Sequence, residues 1–252
     1  MTPYYTDDTV TLYLGDMRKV LPALDLRPDC IVTDPPYGET SLTWDRWPDG
    51  WPQTAASASS SMWCFGSMRM FLNRRDEFET WKFGHDIVWE KHNGPGFTTD
   101  RFRKVHEHVV HWYRGPWSAI EHTVPRQPAT FDRKGRTASA RQDDRAAHTG
   151  SIAARAYVDD GMRLARSVLQ IRSVRGEGRH PTEKPVPVLD LLIRYACPPG
   201  GIVLDPFAGS GSTAEAARLS GRRAVLIEAD ERYCEAITRR MSRNVLPIGA
   251  TA

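Results

Sequence analysis

The sequence predicts an α/β protein built on a doubly wound, mostly parallel sheet. Short, almost continuously apolar runs end abruptly at polar, proline or glycine residues, and runs of this kind are typical of strands buried on both faces. Segments with helical spacing lie between several of these runs, and one run leads directly into a glycine-rich turn. Strands that alternate with helices form parallel sheets with right-handed crossovers, and such sheets bind ligands at the carboxyl ends of their strands.

Six of the apolar runs are predicted as strands of this sheet. They are Thr9–Leu14, Cys30–Thr33, Ser61–Phe65, Ile87–Trp89, Ile202–Leu204 and Ala224–Ile227. A longer run, Lys104–Tyr113, mixes Val105, Val109 and Trp112 with histidines and is predicted as an outer strand. Because most of the runs end at acidic, proline or glycine residues, we expect these residues to converge at one edge of the sheet.

Three segments are predicted as helices. Pro185–Ala196 begins with prolines that a first helical turn tolerates, Ser212–Leu219 follows the glycine-rich turn, and Asp230–Met241 repeats its apolar residues at helical spacing. The Ala/Ser tract Ala55–Ser61 is predicted as a helix or a lid.

Composition indicates a globular protein of one large domain. The chain has 252 residues, of which 40% are hydrophobic and 26% are charged, and no apolar stretch approaches the ~18 residues of a membrane span. The amino terminus lacks the pattern of a signal peptide, so we expect a cytoplasmic protein. The four cysteines are scattered, which argues against a zinc site or a disulfide framework and predicts buried thiols (Cys30, Cys64, Cys197 and Cys234).

A basic segment extends from Arg133 to Arg179. It contains eleven arginines and lysines against five acids, and this excess is larger than the net charge of +3 of the whole chain. Such a segment favours a polyanion as a partner. A solvated loop is the alternative, because the segment is poor in large apolar residues.

The first chemical motif is the stretch from Asp205 to Thr213, where an apolar run enters a glycine turn and leaves as a helix. Gly209 and Gly211 permit close approach of the backbone to a ligand, and the start of the helix offers free N–H groups to an anion. Glu228 ends the next run, where an acid can accept hydrogen bonds from ribose hydroxyls. The same spacing also satisfies a dinucleotide fingerprint, so NAD is an alternative ligand.

The second motif is Asp34-Pro35-Pro36-Tyr37, again at the end of an apolar run. An exocyclic aromatic amine is a weak nucleophile, and a carboxylate together with a rigid main-chain carbonyl can accept both of its hydrogens. The two prolines fix that carbonyl and remove competing donors, and Tyr37 can stack on a base that has left the duplex. A local turn is the alternative for an isolated tetrapeptide.

Together the two motifs resemble the DNA amino-methyltransferases (N6-adenine or N4-cytosine) of the beta arrangement, in which the tetrapeptide precedes the glycine motif. The resemblance covers most of the chain, and its remaining parts are Gly15-Asp16, Trp44-Asp45, Trp89-Glu90-Lys91, His180–Pro185, Glu228 and Tyr233. It implies a circularly permuted, Rossmann-like class I S-adenosylmethionine-dependent methyltransferase fold with a seven-stranded sheet. It also implies a catalytic domain over 1–113 and 180–252 and a target-recognition insertion over 114–179.

The resemblance implies a role for each motif residue. Asp34, Pro35, Pro36 and Tyr37 would hold the target base. The cofactor residues would be Asp16 near the adenine, Glu228 on the ribose, Lys184 and Thr213 near the carboxylate, and Asp205, Pro206, Phe207, Gly209 and Gly211 around the methionine part. The implied cofactor is S-adenosylmethionine, with S-adenosylhomocysteine as product and no metal. The implied partner is double-stranded DNA; a homodimer and a cognate restriction endonuclease are further partners that the family allows.

The function expected is sequence-specific methylation of adenine N6, through direct attack of the flipped amine on the sulfonium methyl. Cytosine N4 methylation is the nearest alternative, although a serine in place of Asp34 is commoner there. RNA methylation, an NAD-dependent oxidoreductase and a non-catalytic DNA-binding protein remain as further alternatives.

Two aromatic clusters allow more than one interpretation. Trp44, Trp47 and Trp51 could form a loop that closes over the base or a packing cluster. His106, His108 and His111 with Glu107 invite a metal site, but alternate strand residues face opposite ways, which argues against it.

Overall fold

The computed structural model describes residues 1–91, 99–100, 102–128, 137–138, 157–158, 160–174 and 183–243. The motif residues 180–182 and most of the basic segment lie outside these ranges. The chain forms two compact units, one of residues 1–123 and 167–252 and one of residues 124–166. The second unit covers fewer residues than the insertion expected over 114–179.

The described residues form thirteen strands. These are β1 (Tyr5–Thr6), β2 (Val10–Leu14), β3 (Cys30–Thr33), β4 (Ser61–Gly66), β5 (Lys82–Glu90), β6 (His106–Tyr113), β7 (Arg126–Pro128), β8 (Thr137–Ala138), β9 (Tyr157–Val158), β10 (Met162–Leu164), β11 (Val168–Gln170), β12 (Ile202–Asp205) and β13 (Arg223–Glu228). Nine of them make one sheet in the order β1-β2-β13-β12-β3-β4-β6-β5-β11. All six apolar runs predicted as strands are strands of this sheet.

The same residues form six α-helices. These are α1 (Met17–Val20), α2 (Trp51–Ala58), α3 (Met68–Asn73), α4 (Val186–Ala196), α5 (Ser212–Leu219) and α6 (Glu231–Arg243), with short 3₁₀ helices at Leu21–Ala23, Arg75–Phe78 and Trp117–Ala119. The three predicted helices are confirmed, and most of the Ala/Ser tract belongs to α2. Within the described part of the chain, no helix is long and apolar enough to cross a membrane.

Helices cover both faces of the sheet, which confirms the doubly wound class. Along β3, Cys30 and Val32 point into a core with α4, α5 and α6, whereas Ile31 points into a second core with α1, α2 and α3. This alternation explains why β3 is an almost continuous apolar run: both of its faces are buried. All four cysteines are buried in these cores, as predicted.

Two expectations about the sheet need correction. Strand β6 is not an outer strand, because it pairs with β4 on one side and with β5 on the other. Its centre, Val109–His111, is buried, so its histidines do not mark a solvent edge. The sheet has nine strands instead of seven, because the short strands β1 and β11 extend its two edges.

Strand direction brings seven chain segments to one edge of the sheet. The strands β2, β13, β12, β3 and β4 are parallel, and β5 runs the same way because β6 is antiparallel to both β4 and β5. The carboxyl ends of these six parallel strands therefore meet the beginning of β6. In the register of β6, Glu107 lies opposite Trp89 and His106 lies opposite Glu90.

The smaller unit contains an antiparallel pair, β7 with β10, in which Met162 lies opposite Pro128. Arg126 holds Asp160 through two hydrogen bonds of 2.7 and 2.8 Å. Strands β8 and β9 form a second antiparallel pair.

Candidate active site

A cavity of about 870 Å³ opens at the edge where the parallel strands end. This volume lies in the range of ligand sites for small molecules. Every predicted site residue lines the cavity except Gly211, whose neighbour is Ile237 of α6. A methyl group on Gly211 would come within 3.0 Å of Ile237, and its φ of 75° is in the left-handed region. Both facts explain the need for glycine there.

The tetrapeptide forms one half of the cavity. Asp34 follows the last residue of β3, and its two carboxylate oxygens have different partners: the Tyr37 hydroxyl donates to Oδ1 and the Lys184 ammonium donates to Oδ2. Burial raises the pKa of the Asp34 carboxyl, Lys184 opposes the increase, and the nearby negative charge of Glu107 adds to it. The carboxylate that is expected to receive the amine is therefore largely buried and paired with a cation.

Lys184 lies in this half of the cavity. It was expected near the carboxylate of the cofactor, but its ammonium contacts Asp34 and lies 3.5 Å from Oε2 of Glu107. The other carboxylate oxygen of Glu107 accepts a hydrogen bond from Lys91. No sequence motif predicts Glu107 at this site, since the histidine pattern around it suggests only a metal ligand. The antiparallel register of β6 brings Glu107 to the cavity.

The glycine turn forms the other half of the cavity. Gly209, with a φ of 49°, donates its N–H to Oε2 of Glu228 at 2.8 Å, and the N–H of Asp230 donates to Oε1 at 2.9 Å. Burial raises the pKa of Glu228, while these backbone donors oppose the increase. Helix α5 begins after Gly211 with no side chain capping its N-terminus. Its first N–H groups are thus suited to an anionic group such as a carboxylate.

Asp205 joins the two halves. Its Oδ1 accepts hydrogen bonds from the hydroxyl of Thr33 and from the N–H of Phe207, both of 3.1 Å, and its Oδ2 accepts one of 2.6 Å from the hydroxyl of Thr213. Burial raises the pKa of Asp205 to about 6, although all three donors lower it. Asp205 and Thr213 are therefore partners of each other as well as cavity residues.

Asp45 organises the loop that follows the tetrapeptide. Its carboxylate accepts from the N–H groups of Gly38, Glu39 and Thr40 at 2.8, 3.0 and 2.7 Å. Despite burial, these donors lower the pKa of Asp45. The Trp-Asp pair of the resemblance thus has a structural role on the wall of the cavity.

The tryptophans of this region divide into two groups. Trp47 and Trp51 pack against each other with ring centroids 5.7 Å apart, and both contact Phe78, so they form the packing cluster that was one of the two alternatives. Trp44 lines the cavity instead.

The histidines of β6 have separate environments. His106 lines the cavity, whereas His111 is fully buried, with Nε2 3.0 Å from the hydroxyl of Ser61. Burial lowers the pKa of His111 to about 3, which keeps the ring neutral. Among the residues whose positions are described, no group of three or more His, Cys, Asp or Glu is arranged to hold a metal ion.

The cavity fits a ligand such as S-adenosylmethionine. One continuous lining connects Asp34 with the glycine turn, the start of α5, Glu228 and Asp16. Asp16 caps α1 and forms an ion pair with Arg18 at 2.6 Å. The lining therefore offers backbone donors at the start of α5 for an acidic group and the carboxylates of Asp16 and Glu228 for hydroxyl or amino groups.

The comparisons with known proteins define the class. The model of the N6/N4 methyltransferase family, described as DNA methylase, matches residues 28–239. The chain therefore belongs to this family and is an S-adenosylmethionine-dependent DNA methyltransferase.

Two sequence relatives differ in coverage. Type II methyltransferase M2.DpnII of Streptococcus pneumoniae is 23% identical over 95% of this chain and 92% of that protein. YubD of Escherichia coli (strain K12), named as a candidate methylase, is 54% identical, but the match spans only 27% of this chain and 30% of that protein.

Two solved structures support the fold. The M1.HpyAVI–SAM complex has a TM-score of 0.64 and 21% identity, covering 92% of this chain and 99% of that one. The cytosine-N4-specific PvuII DNA methyltransferase has a TM-score of 0.63 and 15% identity, covering 99% and 90%. The fold is thus the class I methyltransferase fold that the resemblance implied.

Proposed function

We propose that this methyltransferase acts on N6 of an adenine that has left the duplex, at a specific DNA sequence. The observation that carries the proposal is the position of Asp34: its carboxylate lies in the same cavity as the glycine turn. An amine held by Asp34 would thus lie beside the cofactor, and positioning of this kind can supply much of the rate of a group transfer.

The tetrapeptide is proposed to bind and orient the amine. Asp34 and the main-chain carbonyl of Pro35 accept its two hydrogens, so that the nitrogen lone pair points out of the plane of the ring. Tyr37, whose hydroxyl donates to Asp34, presents an aromatic ring beside the base. As the nitrogen gains its fourth substituent it becomes acidic, and Asp34 is the nearest base that can take the proton.

The cofactor is proposed to be bound by the residues of the glycine turn together with Asp16, Thr213 and Glu228. S-adenosylmethionine, when bound, supplies the methyl group. The N-terminus of α5 would receive its carboxylate, and Glu228 would accept from the ribose hydroxyls. Lys184, which the resemblance places near the cofactor carboxylate, contacts Asp34 in the base half of the cavity.

DNA contacts are proposed for the insertion over 114–179 and for the rim of the cavity. Three of the basic residues that line the cavity, Arg18, Arg46 and Lys104, are exposed, and cations at such a rim can hold the phosphates on either side of a flipped nucleotide. The arginines of the insertion would then read bases or hold phosphates. A homodimer and a cognate restriction endonuclease remain proposals of the same kind.

Cytosine N4 is the second candidate, since the same geometry suits both amines. The family covers both bases, and the PvuII neighbour is cytosine-specific. Asp34, in place of the serine that is commoner for cytosine, favours adenine. Membership in the family leaves the NAD-dependent oxidoreductase without support.

The test is to incubate the purified chain with unmethylated duplex DNA and S-adenosylmethionine, digest the DNA to nucleosides and analyse them by mass spectrometry. N6-methyladenine is the expected product. N4-methylcytosine would refute the choice of base, and no product from a chain that binds the cofactor would favour a DNA-binding protein. The variant Asp34→Ala should lose at least about 10²-fold in turnover, as for other lost transition-state contacts.

A further inference from the structure

We propose that Glu107 is a positioning residue that acts through Lys184: it holds the lysine ammonium against Asp34 and so keeps the base-binding carboxylate ionised. The proposal rests on the proposed function, in which Asp34 accepts hydrogens from the target amine. It assigns Lys184 to the base half of the cavity and gives a role to an acid that neither sequence motif contains.

The contacts form a chain of alternating charges. Lys91, directly after β5, donates to Oε1 of Glu107. Oε2 of Glu107 lies 3.5 Å from the Lys184 ammonium, and the ammonium donates to Oδ2 of Asp34. All four side chains are largely buried, with exposures of 21, 16, 8 and 20% in that order. The Lys184 ammonium also lies 5.2 Å from the ring centroid of Phe65. Two cations and two anions thus share one buried site.

The chemistry at Asp34 requires a charge. As a carboxylate, Asp34 can accept an amine hydrogen and then take the released proton, whereas a carboxylic acid that already carries a proton cannot take it. Burial raises the pKa of Asp34, and Lys184 opposes the increase. The other groups facing Asp34 cannot replace the lysine: Tyr37 is neutral, and Cys64 and Asp205 contribute no positive charge.

Glu107 has two effects on Asp34, and they have opposite signs. Directly, its negative charge raises the pKa of Asp34. Indirectly, it holds Lys184, whose own pKa is raised by Asp34 and Glu107 although burial lowers it. A long, rotatable lysine side chain needs such a partner to stay in one place, because fixing it costs side-chain entropy. We infer that the indirect effect is the larger one.

The opposite signs give a decisive test that uses no substrate. The full chain, labelled with ¹³C at the aspartate carboxyls, is titrated by NMR, and the Asp34 signal is assigned with Asp34→Asn. We expect Lys184→Gln to raise the pKa of Asp34 by about one unit or more. Glu107→Gln should also raise it in the wild-type background but should lower it, or leave it unchanged, in the Lys184→Gln background.

The reverse result contradicts the proposal. If Glu107→Gln lowers the pKa of Asp34 in the wild-type background, Glu107 acts only as a nearby charge. Lys91→Met provides a second variant should Glu107→Gln fold poorly; it loosens Glu107 and should raise the pKa of Asp34 by a smaller amount. Thermal unfolding of each variant confirms that the folded protein is titrated.

A kinetic measurement connects the network with catalysis. The acid limb of the single-turnover methylation rate should move to higher pH in Glu107→Gln, by the same shift that NMR records. In Glu107→Asp the acid limb should lie between those of Glu107→Gln and the wild type. If the wild type is active and the acid limb of Glu107→Gln coincides with that of the wild type, this inference alone is refuted. A wild type that methylates nothing refutes the proposed function, whereas the NMR titration still decides how Glu107 acts on Asp34.

Discussion

The hydroxyl of Thr33 donates a buried hydrogen bond of 3.1 Å to Asp205, a residue 172 positions later in the chain. Thr33 ends β3 immediately before Asp34, and Asp205 ends β12 immediately before the glycine turn. Because β3 and β12 are parallel neighbours, this bond joins the base half of the cavity to the cofactor half. Thr213 donates to the same carboxylate from α5.

Removing this hydroxyl should slow methyl transfer more than it weakens cofactor binding. Thr33→Val keeps the shape of the side chain but removes a donor to a charged acceptor, which is worth about 1.5–3 kcal/mol. We expect the single-turnover rate to fall at least about tenfold while the S-adenosylmethionine Kd stays within about threefold. Thr33→Ser retains the donor and serves as the control; equal losses in both variants would refute the role of the hydrogen bond.

The Asp45 loop should control access to the base half of the cavity. Asp45→Ala leaves three backbone N–H groups without their acceptor, each part of one short loop. We expect faster proteolysis within residues 38–47 and a kcat/KM at least about tenfold lower, because the loop follows Tyr37 directly. The matched control is Asp49→Ala, since Asp49 has an exposed side chain (83%) with one long ion pair to Arg74. Similar proteolysis of the two variants would contradict the prediction.

Arg240 should stabilise the glycine turn. It is 5% exposed and donates to the carboxylates of Glu183 and Glu215 at 2.8 and 2.6 Å and to the carbonyl of Ser210 at 3.0 Å. Arg240→Met removes a buried cation from two acids, so we expect a loss of about 3–5 kcal/mol in the free energy of unfolding and weaker cofactor binding.

The neighbouring Arg239 gives a matched control for that measurement. It lies on the same helix but is 63% exposed, with a 3.5 Å ion pair to Glu235. Arg239→Met should change the free energy of unfolding by less than about 1 kcal/mol in denaturant titration. Equal effects at the two positions would show that Arg240 contributes no more than a surface ion pair.

Stability in acid should depend on Asp7. The carboxylate accepts hydrogen bonds from Tyr5, Thr9, Val10 and Arg218. Burial raises the pKa of Asp7, but the hydrogen bonds from Tyr5, Thr9 and Val10 lower it to about 2. Because the folded-state pKa lies below the usual value of 3.8, the stabilisation is present above pH ~4 and is lost as the pH falls towards 2.

The corresponding variant is Asp7→Asn. It should lower the free energy of unfolding by about 2 kcal/mol at pH 7, and the difference from wild type should shrink to near zero at pH 2. Denaturant titrations at the two pH values measure it. Asp8→Asn, at the exposed neighbouring position, should have no effect at either pH.

The elements predicted from the sequence are those whose signals are local. Strands β3 and β12 are unbroken apolar runs, and α5 follows a glycine turn, so their positions could be inferred from neighbouring residues alone. The tetrapeptide and the glycine motif were recognised for the same reason, and the structure places both in one cavity.

The features that the sequence did not reveal depend on pairing between distant segments. The place of β6 inside the sheet, and with it the position of Glu107, follows from registers with β4 and β5 that no local pattern encodes. Strands β1 and β11 have two and three residues, too few for a period to be visible. Lys184 was recognised from its motif, but its partners could be found only in three dimensions.

The compact unit of residues 124–166 is separate in the sequence from the charged residues of the cavity. Glu107 lies at the start of β6 and Lys184 lies just before α4, while residues 124–166, between them in the sequence, form a compact unit of their own. Insertions, deletions or a wholesale exchange in that unit would leave Glu107 on β6 and Lys184 before α4. A lineage could thus acquire a new inserted segment by recombination and inherit the chemistry of the pocket intact.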